Sequence, residues 1–324
     1  MSALEQALTR LRGGSSTKIV IDAPIGPLTT YRVGGPASAL VVAESLEDLR
    51  RVGAAIAAAE AEGDGGAVDR IDLLVIGRGS NLLVADAGFD GIVVQLGDGL
   101  ATMEAQDHGL LVGGAAALPV VARRSVALGL AGFEWAVGVP GTIGGAVRMN
   151  AGGHGSDMAA SVERVRVVDL RTGEDSTMLA TDLRFGYRSS ALRSEQVVVQ
   201  CQLALVPGDR SKGEEQLSEI VRWRREHQPG GANAGSVFTN PPGDSAGRLI
   251  DAAGLKGLRI GTAEVSTKHA NFIQSDVDGS ADDIVKVMIE MRRTVAERTG
   301  IDLRAETHLV GFHPEVVASA GAGR

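Results

Sequence analysis

Apolar residues recur at helical spacing in several stretches of the chain. The stretch from Ser45 to Gly63 places a serine N-cap and two acidic residues before such a run. Ser280 to Gly300 repeats this arrangement and adds basic residues near its end, where they favour the helix dipole. Further helices are predicted over 118–128 and over 213–229, where Pro229 ends the second one. The N-terminal residues 1–16 are predicted to form a short helix and a mobile lead-in.

Short runs rich in valine, leucine and isoleucine alternate with these helices and predict strands. They cover residues 38–43, 71–76, 91–96, 109–113, 161–170, 175–180, 195–205 and 301–312. The turn sequence RTGED joins the pair at 161–170 and 175–180, and the last run follows a period of two. This mixture of helices and strands predicts an α+β or α/β protein.

Composition narrows the function classes. At 324 residues, the chain is long enough for two or three domains. The formal charge of −8 argues against nucleic acid or an anionic membrane as a partner. No run reaches the length of a membrane span and the N-terminus lacks a signal-peptide core, so we expect a cytoplasmic protein. The single cysteine, Cys201, excludes an intramolecular disulfide and a multi-cysteine site, and we expect no metal.

Residues 138–155 (GVPGTIGGAVRMNAGGHG) form the most unusual stretch, because seven of the eighteen are glycine. Glycine tolerates a positive φ and lets the backbone approach another group closely. One interpretation is a loop whose bare N–H groups face an anion such as a diphosphate. The other is a set of tight turns in the core, and this stretch alone favours neither.

Three other polar positions suggest chemistry but have ordinary explanations when taken alone. Arg188 follows one of the two tyrosines, Tyr187, and can pair with a carboxylate or phosphate, or simply lie on the surface. Ser236 lies in a glycine-flanked loop, which is typical of a turn serine. Glu306 shares a strand face with Arg304 and His308, which is typical of a solvent-facing acid.

The motifs together, in their order along the chain, resemble the UDP-N-acetylenolpyruvoylglucosamine reductase family. They are YRVGGPA at 31–37, GRGSNLLV at 77–84, GVPGTIGGA at 138–146, NAGGHG at 150–155, FGYRSS at 185–190, AGSVFTNP at 234–241, AGLKG at 253–257 and HANF at 269–272. The resemblance covers residues 30–311, which is nearly the whole chain.

The resemblance implies an α+β fold with a flavin-binding half of the vanillyl-alcohol-oxidase type and a C-terminal α/β substrate domain. We expect one FAD-binding subdomain over 1–96, with the C-terminal strand 300–318 returning to it. A second FAD-binding subdomain is expected over 97–227, a substrate-binding domain over 228–299 and a disordered tail over 319–324.

The resemblance also implies a non-covalent FAD, held through backbone N–H groups of the two glycine loops. The residues expected to bind it are Gly77, Arg78, Gly79, Ser80, Asn81, Leu82, Gly141, Thr142, Gly144, Gly145, Asn150 and Ala151. NADPH is the expected co-substrate.

The family's chemistry assigns roles to the three polar positions. Hydride reaches C3 of an enolpyruvyl UDP-sugar, and negative charge then spreads from C2 into the carboxylate. Arg188 matches the arginine that stabilises this charge, Glu306 the acid that orients or neutralises the carboxylate, and Ser236 the residue that protonates C2. A serine hydroxyl can serve as this acid because the enolate is strongly basic.

Substrate contacts and partners follow from the same resemblance. Tyr187, Asn240, Lys268 and His269 match positions that contact the UDP-sugar, and we expect a monomer. Two departures matter: Thr239 stands where family members often have a basic residue, and no tyrosine follows Tyr187. The second departure places the chain in the branch without a tyrosine-bearing loop and implies a different clamp for the diphosphate.

Two rival interpretations remain at this stage. Another flavin oxidase or dehydrogenase of the same fold, acting on a hydroxy acid or sugar, would keep both glycine loops without needing Ser236 or Glu306. A nucleotide-sugar-binding module without redox activity would bind no FAD.

Overall fold

The computed structural model describes residues 2–13, 17–62, 70–107 and 109–323. The predicted lead-in at 14–16, Gly63 at the end of the predicted helical stretch, and the last residue of the predicted tail lie outside these ranges. Within the described residues, no helix combines the length and the apolar composition that a membrane span requires.

The described helices include each one that the hydrophobic pattern predicts. They are α1 (Ala3–Arg12), α2 (Leu46–Ala61), α3 (Leu118–Ala127), α4 (Ile143–Met149), α5 (Arg210–His227), α6 (Ala246–Ala252), α7 (Ala281–Thr299) and α8 (Pro314–Ser319). The predicted caps are confirmed: the side chain of Ser45 accepts the N–H of Asp48, and that of Ser280 accepts the N–H of Asp283.

The described strands are mostly short. They are β1 (Lys18–Pro24), β2 (Pro36–Ala43), β3 (Leu73–Ile76), β4 (Leu82–Val84), β5 (Phe89–Leu96), β6 (Met103–Gln106), β7 (Gly109–Gly113), β8 (Leu130–Ala131), β9 (Gly152–Gly153), β10 (Ser156–Asp157), β11 (Val162–Asp169), β12 (Asp175–Leu179), β13 (Gln196–Ala204), β14 (Val206–Pro207), β15 (Arg259–Ile260), β16 (Ala263–Val265), β17 (Ile273–Ser275) and β18 (His308–Val310).

The chain divides into two compact units. The first comprises residues 1–21, 38–77 and 91–222, and the second comprises 22–37, 78–90 and 223–324. The three-domain division expected from the sequence stays a prediction.

Two sheets organise the first unit. One has the strand order β1-β2-β5-β3, and the other, which is antiparallel, has the order β12-β11-β13-β7-β6. The predicted pair β11 and β12 is confirmed, with Val168 opposite Asp175 at the turn. Cys201 is buried in β13, and this burial raises the pKa of its thiol, which disfavours the reactive thiolate.

The core of the second unit lies between α7, α6 and a three-stranded antiparallel sheet of order β15-β16-β17. A parallel pair joins β4 to β18, with His308 opposite Leu82. The carboxylate of Asp86 accepts hydrogen bonds from the hydroxyl of Ser280 and from the N–H groups of Ala281 and Asp282, at the start of α7. The loop after β4 is thereby fixed to the longest helix of this unit.

Two expectations for the C-terminal region are wrong. The predicted strand over 301–312 pairs only at His308–Val310, because β4 offers it three residues, and Ala305 makes an isolated bridge with Phe238. Residues 319–323 of the predicted disordered tail are ordered, because α8 ends at Ser319 and Ala320 is buried. The N–H of Ala305 donates to the carbonyl oxygen of Gly321, which holds this segment in place.

Candidate active site

The second unit brings the predicted proton donor, Ser236, next to the predicted acid, Glu306. Ser236 is half-buried in the irregular segment between α5 and α6. The N–H of Glu306 donates to the carbonyl oxygen of Val237 over 2.7 Å, and the N–H of Thr239 donates to that of Arg304 over 2.9 Å. The residue after Ser236 is therefore bonded directly to the backbone of Glu306.

The turn that follows β3 is tied to the same backbone. The side-chain amide of Asn81 donates to the carbonyl oxygen of Glu306 over 3.0 Å, and the carbonyl oxygen of Asn81 accepts the N–H of His308 over 3.0 Å. Gly79 in this turn has φ = 58°, and a Cβ there would lie 2.5 Å from the carbonyl oxygen of Leu28. Only glycine fits this position.

The predicted substrate contacts of the second unit lie on two of its loops. The side-chain oxygen of Asn240 accepts the N–H of Ala246 at the start of α6, and the ammonium of Lys268 donates to the carbonyl oxygen of Arg225. Nδ1 of His269 accepts the N–H of Asn271 over 3.3 Å. Burial lowers the pKa of the His269 imidazole, which favours its neutral form at pH 7.

In the first unit, Tyr187 and Arg188 lie at the tip of a tight turn. Gly186 and Ser189 close the turn with two backbone hydrogen bonds of 3.0 and 3.3 Å. Arg188 has φ = 54°, a conformation that costs a non-glycine residue about 1–2 kcal/mol. Its Nη1 donates to the carbonyl oxygen of Gly152 over 3.2 Å, and its guanidinium lies 5.6 Å from the ring centre of the exposed Tyr187.

Asn150 is one of the residues expected to bind the cofactor, and its side chain is directed into the fold. Its amide nitrogen donates to the carboxylate of Asp157 over 3.1 Å and to the carbonyl oxygen of Gly186 over 2.9 Å. Its oxygen accepts the N–H of Ala159 over 3.0 Å. These bonds use both amide protons, so this side chain supports the turn that carries Arg188.

The first turn of α4 also corrects the expected mode of anion binding. The N–H groups of Ile143 and Gly144 donate to the carbonyl oxygens of Ala116 and Gly114, each over 2.9 Å. The N–H of Gly145 donates to the Thr142 hydroxyl over 3.4 Å. The N–H groups of Gly144 and Gly145, two of the residues expected to bind the cofactor, are therefore occupied within the unit, as is that of Ile143.

The glycines of this region instead permit close approach of the backbone. A Cβ at Gly77 would lie 2.4 Å from the hydroxyl oxygen of Thr142, so the two predicted cofactor loops touch at this point. A Cβ at Gly144 would lie 3.3 Å from the carbonyl oxygens of Gly114 and Val198. Gly145 differs, since it is exposed and a Cβ there would meet only the Thr142 hydroxyl, at 3.6 Å.

A cofactor rich in hydrogen-bond acceptors suits these loops. The indole N–H of Trp135, just before the glycine stretch, is buried and has no hydrogen-bond partner among the residues that the structure describes. The same holds, within those residues, for the hydroxyl of Thr30, whose N–H donates to the carbonyl oxygen of Gly79. An unpaired buried donor costs about 1–3 kcal/mol, which a bound acceptor recovers. Each unit thus offers a buried donor of the kind that an acceptor-rich group satisfies.

Family models match both halves of the chain. Residues 227–310 match the model described as the C-terminal domain of UDP-N-acetylenolpyruvoylglucosamine reductase, and residues 37–177 match the one described as an FAD binding domain. The UDP-N-acetylenolpyruvoylglucosamine reductase of Acidiphilium cryptum is 38% identical over 313 residues, which is 96% of each chain. The chain belongs to the UDP-N-acetylenolpyruvoylglucosamine reductase family.

Other comparisons agree with this membership. The reductase of the same name from Paramagnetospirillum magneticum is 40% identical over 306 residues, which is 94% of each chain. The crystal structure of the Thermus caldophilus reductase is 34% identical and superposes with a TM-score of 0.75, covering 91% of this chain and 98% of that one. The predicted α+β class, with FAD-binding and C-terminal substrate domains, is confirmed. The predicted absence of a tyrosine loop stays a prediction.

Asn271 lies in the HANF motif at 269–272 but received no role from it. Its side chain is 2% exposed and makes hydrogen bonds to the backbone of Phe238, two residues after Ser236. One signal was available: Asn271 stands between Ala270 and Phe272 in an otherwise apolar run, and a buried amide must be hydrogen-bonded.

Gly145 provides a test of where the cofactor lies. We expect Gly145→Leu to leave the protein folded, and to favour α4 by about 0.5–1 kcal/mol, because leucine is the better helix former. The new side chain would fill the open side of the loop and lower flavin retention. Flavin absorbance after gel filtration, compared with that of Ala127→Leu at an exposed position of α3, measures this effect. Equal flavin content in both variants would contradict the placement.

Proposed function

We propose that the protein reduces UDP-N-acetylglucosamine enolpyruvate to UDP-N-acetylmuramate, a precursor of peptidoglycan. The observation that carries the proposal is the hydrogen bond from the N–H of Glu306 to the carbonyl oxygen of Val237, 2.7 Å long. It holds the backbone of the residue after Ser236 against that of Glu306, in a chain of the reductase family. Neither rival interpretation requires this pair.

The cofactor is a non-covalently bound FAD, with NADPH as the co-substrate. Bound FAD supplies the hydride chemistry, taking a hydride from NADPH and delivering one to C3 of the enolpyruvyl group. We assign its binding to the two loops that meet where Gly77 approaches Thr142, including Arg78, Gly79, Ser80, Asn81 and Leu82 in the first loop. Gly141, Gly144, Gly145 and Ala151 belong to the second loop, with Asn150 supporting it from within.

Arg188 stabilises the negative charge that develops on the substrate. Its guanidinium is positively charged at any physiological pH and presents a planar set of donors that matches a carboxylate. The tight turn and the bond to Gly152 fix its direction before substrate arrives. Preorganised charge of this kind is the usual source of large rate enhancements.

Ser236 donates its hydroxyl proton to C2, and water then restores that proton. Glu306, on the adjacent segment, orients or neutralises the substrate carboxylate. Tyr187, Asn240, Lys268 and His269 contact the rest of the UDP-sugar. The exposed ammonium of Lys268 suits the diphosphate, whereas the lowered pKa of His269 suits a neutral hydrogen bond.

The setting of the reaction follows from its reactants. UDP-sugars and NADPH are small soluble metabolites of the cytoplasm, where we place the protein as a monomer. The net charge of −8 supports a role without nucleic acid.

The decisive experiment separates the two half-reactions. We expect NADPH to bleach the flavin anaerobically, and UDP-N-acetylglucosamine enolpyruvate to reoxidise it much faster than O₂ does. Stopped-flow absorbance measures both rates. Faster reoxidation by O₂ would favour another flavin oxidase, and a colourless protein that binds no FAD would favour a sugar-nucleotide-binding module.

Ser236→Ala tests the proton donor. The variant retains reduction by NADPH but slows reoxidation by the enolpyruvyl substrate by about 10²–10⁴-fold, the range for general acid catalysis. Ser218→Ala, which removes an exposed hydroxyl from α5, is the control. Equal losses in both half-reactions would argue against this role.

Arg184 and Arg188 lie in the same loop, and comparing variants of the two distinguishes the effect of backbone strain from the loss of a catalytic side chain. Arg184 and Arg188 both have positive φ, at 43° and 54°. In Arg184→Gly and Arg188→Gly, we expect the free energy of unfolding to change by less than about 1 kcal/mol, because relief of strain offsets the entropy of glycine. Only Arg188→Gly should lose substrate reduction, by about 10²-fold or more. Denaturant unfolding and stopped-flow rates provide the measurements, and equal activity of the two variants would refute the role of Arg188.

A further inference from the structure

We propose that Asn271 is the positioning residue for Ser236 and that it sets the place of the serine hydroxyl in the protonation step. This inference rests on the proposed function of Ser236. Asn271 lies in the loop between β16 and β17 and is 2% exposed. It has no role in the chemistry as derived above.

Asn271 binds the segment that follows Ser236 through three hydrogen bonds. Its carbonyl oxygen accepts the N–H of Val237 over 2.9 Å, and its side-chain oxygen accepts the N–H of Phe238 over 3.0 Å. Its side-chain nitrogen donates to the carbonyl oxygen of Phe238 over 2.8 Å. The amide side chain thus pairs with both polar groups of one backbone residue, as a neighbouring strand would.

The opposite edge of the same segment carries Glu306. The carbonyl oxygen of Val237 accepts the N–H of Glu306, and Phe238 forms a bridge with Ala305. Residues 237–239 therefore lie between Asn271 on one side and residues 304–306 on the other. A shift of this segment at Asn271 would change the spacing of Ser236 and Glu306 from any bound substrate.

The chain before Ser236 is also held, since Ala234 is buried and Ala232 forms a bridge with Ser275 of β17. Gly235, directly before Ser236, has φ = 78°, and a Cβ there would meet no atom within 4 Å. Its N–H is held by the side-chain oxygen of Asn233, whose other bonds go to the carbonyl oxygens of Gly230 and Gly231 in the same loop. On its C-terminal side, Val237 and Phe238 directly follow Ser236, are fully buried and carry the hydrogen bonds to Asn271.

The loop that carries Asn271 is itself held in place by hydrogen bonds. The N–H of Asn271 donates to Nδ1 of His269, and the N–H of Ser266 donates to the carbonyl oxygen of Phe272 over 2.8 Å. β17 begins at Ile273, which pairs with Val265 of β16. A catalytic group that is fixed to a sheet in this way keeps the geometry on which its rate depends.

Asn271→Asp tests the inference, because aspartate has the same shape and keeps an acceptor for the N–H of Phe238. At neutral pH it lacks the donor for the carbonyl oxygen of Phe238. We expect unchanged flavin reduction by NADPH and unchanged substrate affinity, measured by titration of the oxidised flavin. We expect reoxidation by UDP-N-acetylglucosamine enolpyruvate to slow by about 10²-fold, the effect of a misplacement near 1 Å.

A solvent isotope effect distinguishes positioning from general destabilisation. If Ser236 is misplaced, proton donation becomes slower, and reoxidation in D₂O should show a larger isotope effect than in the wild-type protein. Val287→Ala, a truncation in the buried face of α7, is the control for stability. It should lower the thermal midpoint while leaving the ratio of the two half-reactions and the isotope effect as in the wild type.

The outcomes separate this inference from the proposed function. If wild-type flavin is not reoxidised by the enolpyruvyl substrate, the proposed function fails and the inference fails with it. If the wild type reacts but Asn271→Asp reoxidises normally, or loses both half-reactions equally, only the inference is overturned. Should Asn271→Asp not fold, Asn271→Ser, which is uncharged, is assessed by the same three measurements and the same criteria.

Discussion

The hydrogen bond between the N–H of Glu306 and the carbonyl oxygen of Val237 is the contact on which the second unit's site depends. It joins residues far apart in sequence, outside any regular strand. Val237, Phe238 and Thr307 are buried around this bond, whereas Glu306 is half-buried. Breaking it would remove the partner of the Glu306 N–H, at a cost of about 1–3 kcal/mol if that group stays buried, while the carbonyl oxygen of Val237 would keep the N–H of Thr307 at 3.4 Å. The spacing of Ser236 and Glu306 is therefore a property of the main chain.

Asparagine side chains make hydrogen bonds that a neighbouring strand would otherwise make, both around Ser236 and Glu306 and around Arg188. Asn81 and Asn271 tie down the segments of Glu306 and Ser236, and Asn150 ties down the turn of Arg188. An amide side chain offers the same donor and acceptor as a peptide group, so it can pair with backbone that no strand reaches. A glycine-rich chain with short strands needs such bonds, because glycine leaves the irregular segments with more conformational freedom to lose.

The sequence predicted those helices and turns whose own residues carry the signal, such as a cap, a periodic apolar face or a turn glycine. The helices α2 and α7 carry their own caps and periodic faces, and the turn between β11 and β12 carries its own glycine. The pairing of 304–310 was not predictable in this way, because its partners, β4 and Phe238, lie far away in the sequence. For the same reason Ser236 and Glu306 looked ordinary when taken alone. The resemblance to a family identified these two residues as candidates, and only the tertiary pairing explains why they are neighbours.

For the glycine stretch, the residues alone left an anion-binding loop and a set of tight turns as alternatives, and the hydrogen bonds at the start of α4 show close packing there. Its glycines indicated bare N–H groups, yet those of Ile143, Gly144 and Gly145 are occupied within the unit. At positions 77 and 144, glycine allows neighbouring groups to pack closely. A Cβ at position 77 would press on Thr142, and one at position 144 would press on the backbone of β13. Close packing of this kind makes the loops rigid before any ligand arrives. A rigid loop can hold Gly152 as a fixed acceptor for Arg188, whose positive φ is strained. The stretch that we expect to hold the cofactor therefore also orients the side chain of this arginine.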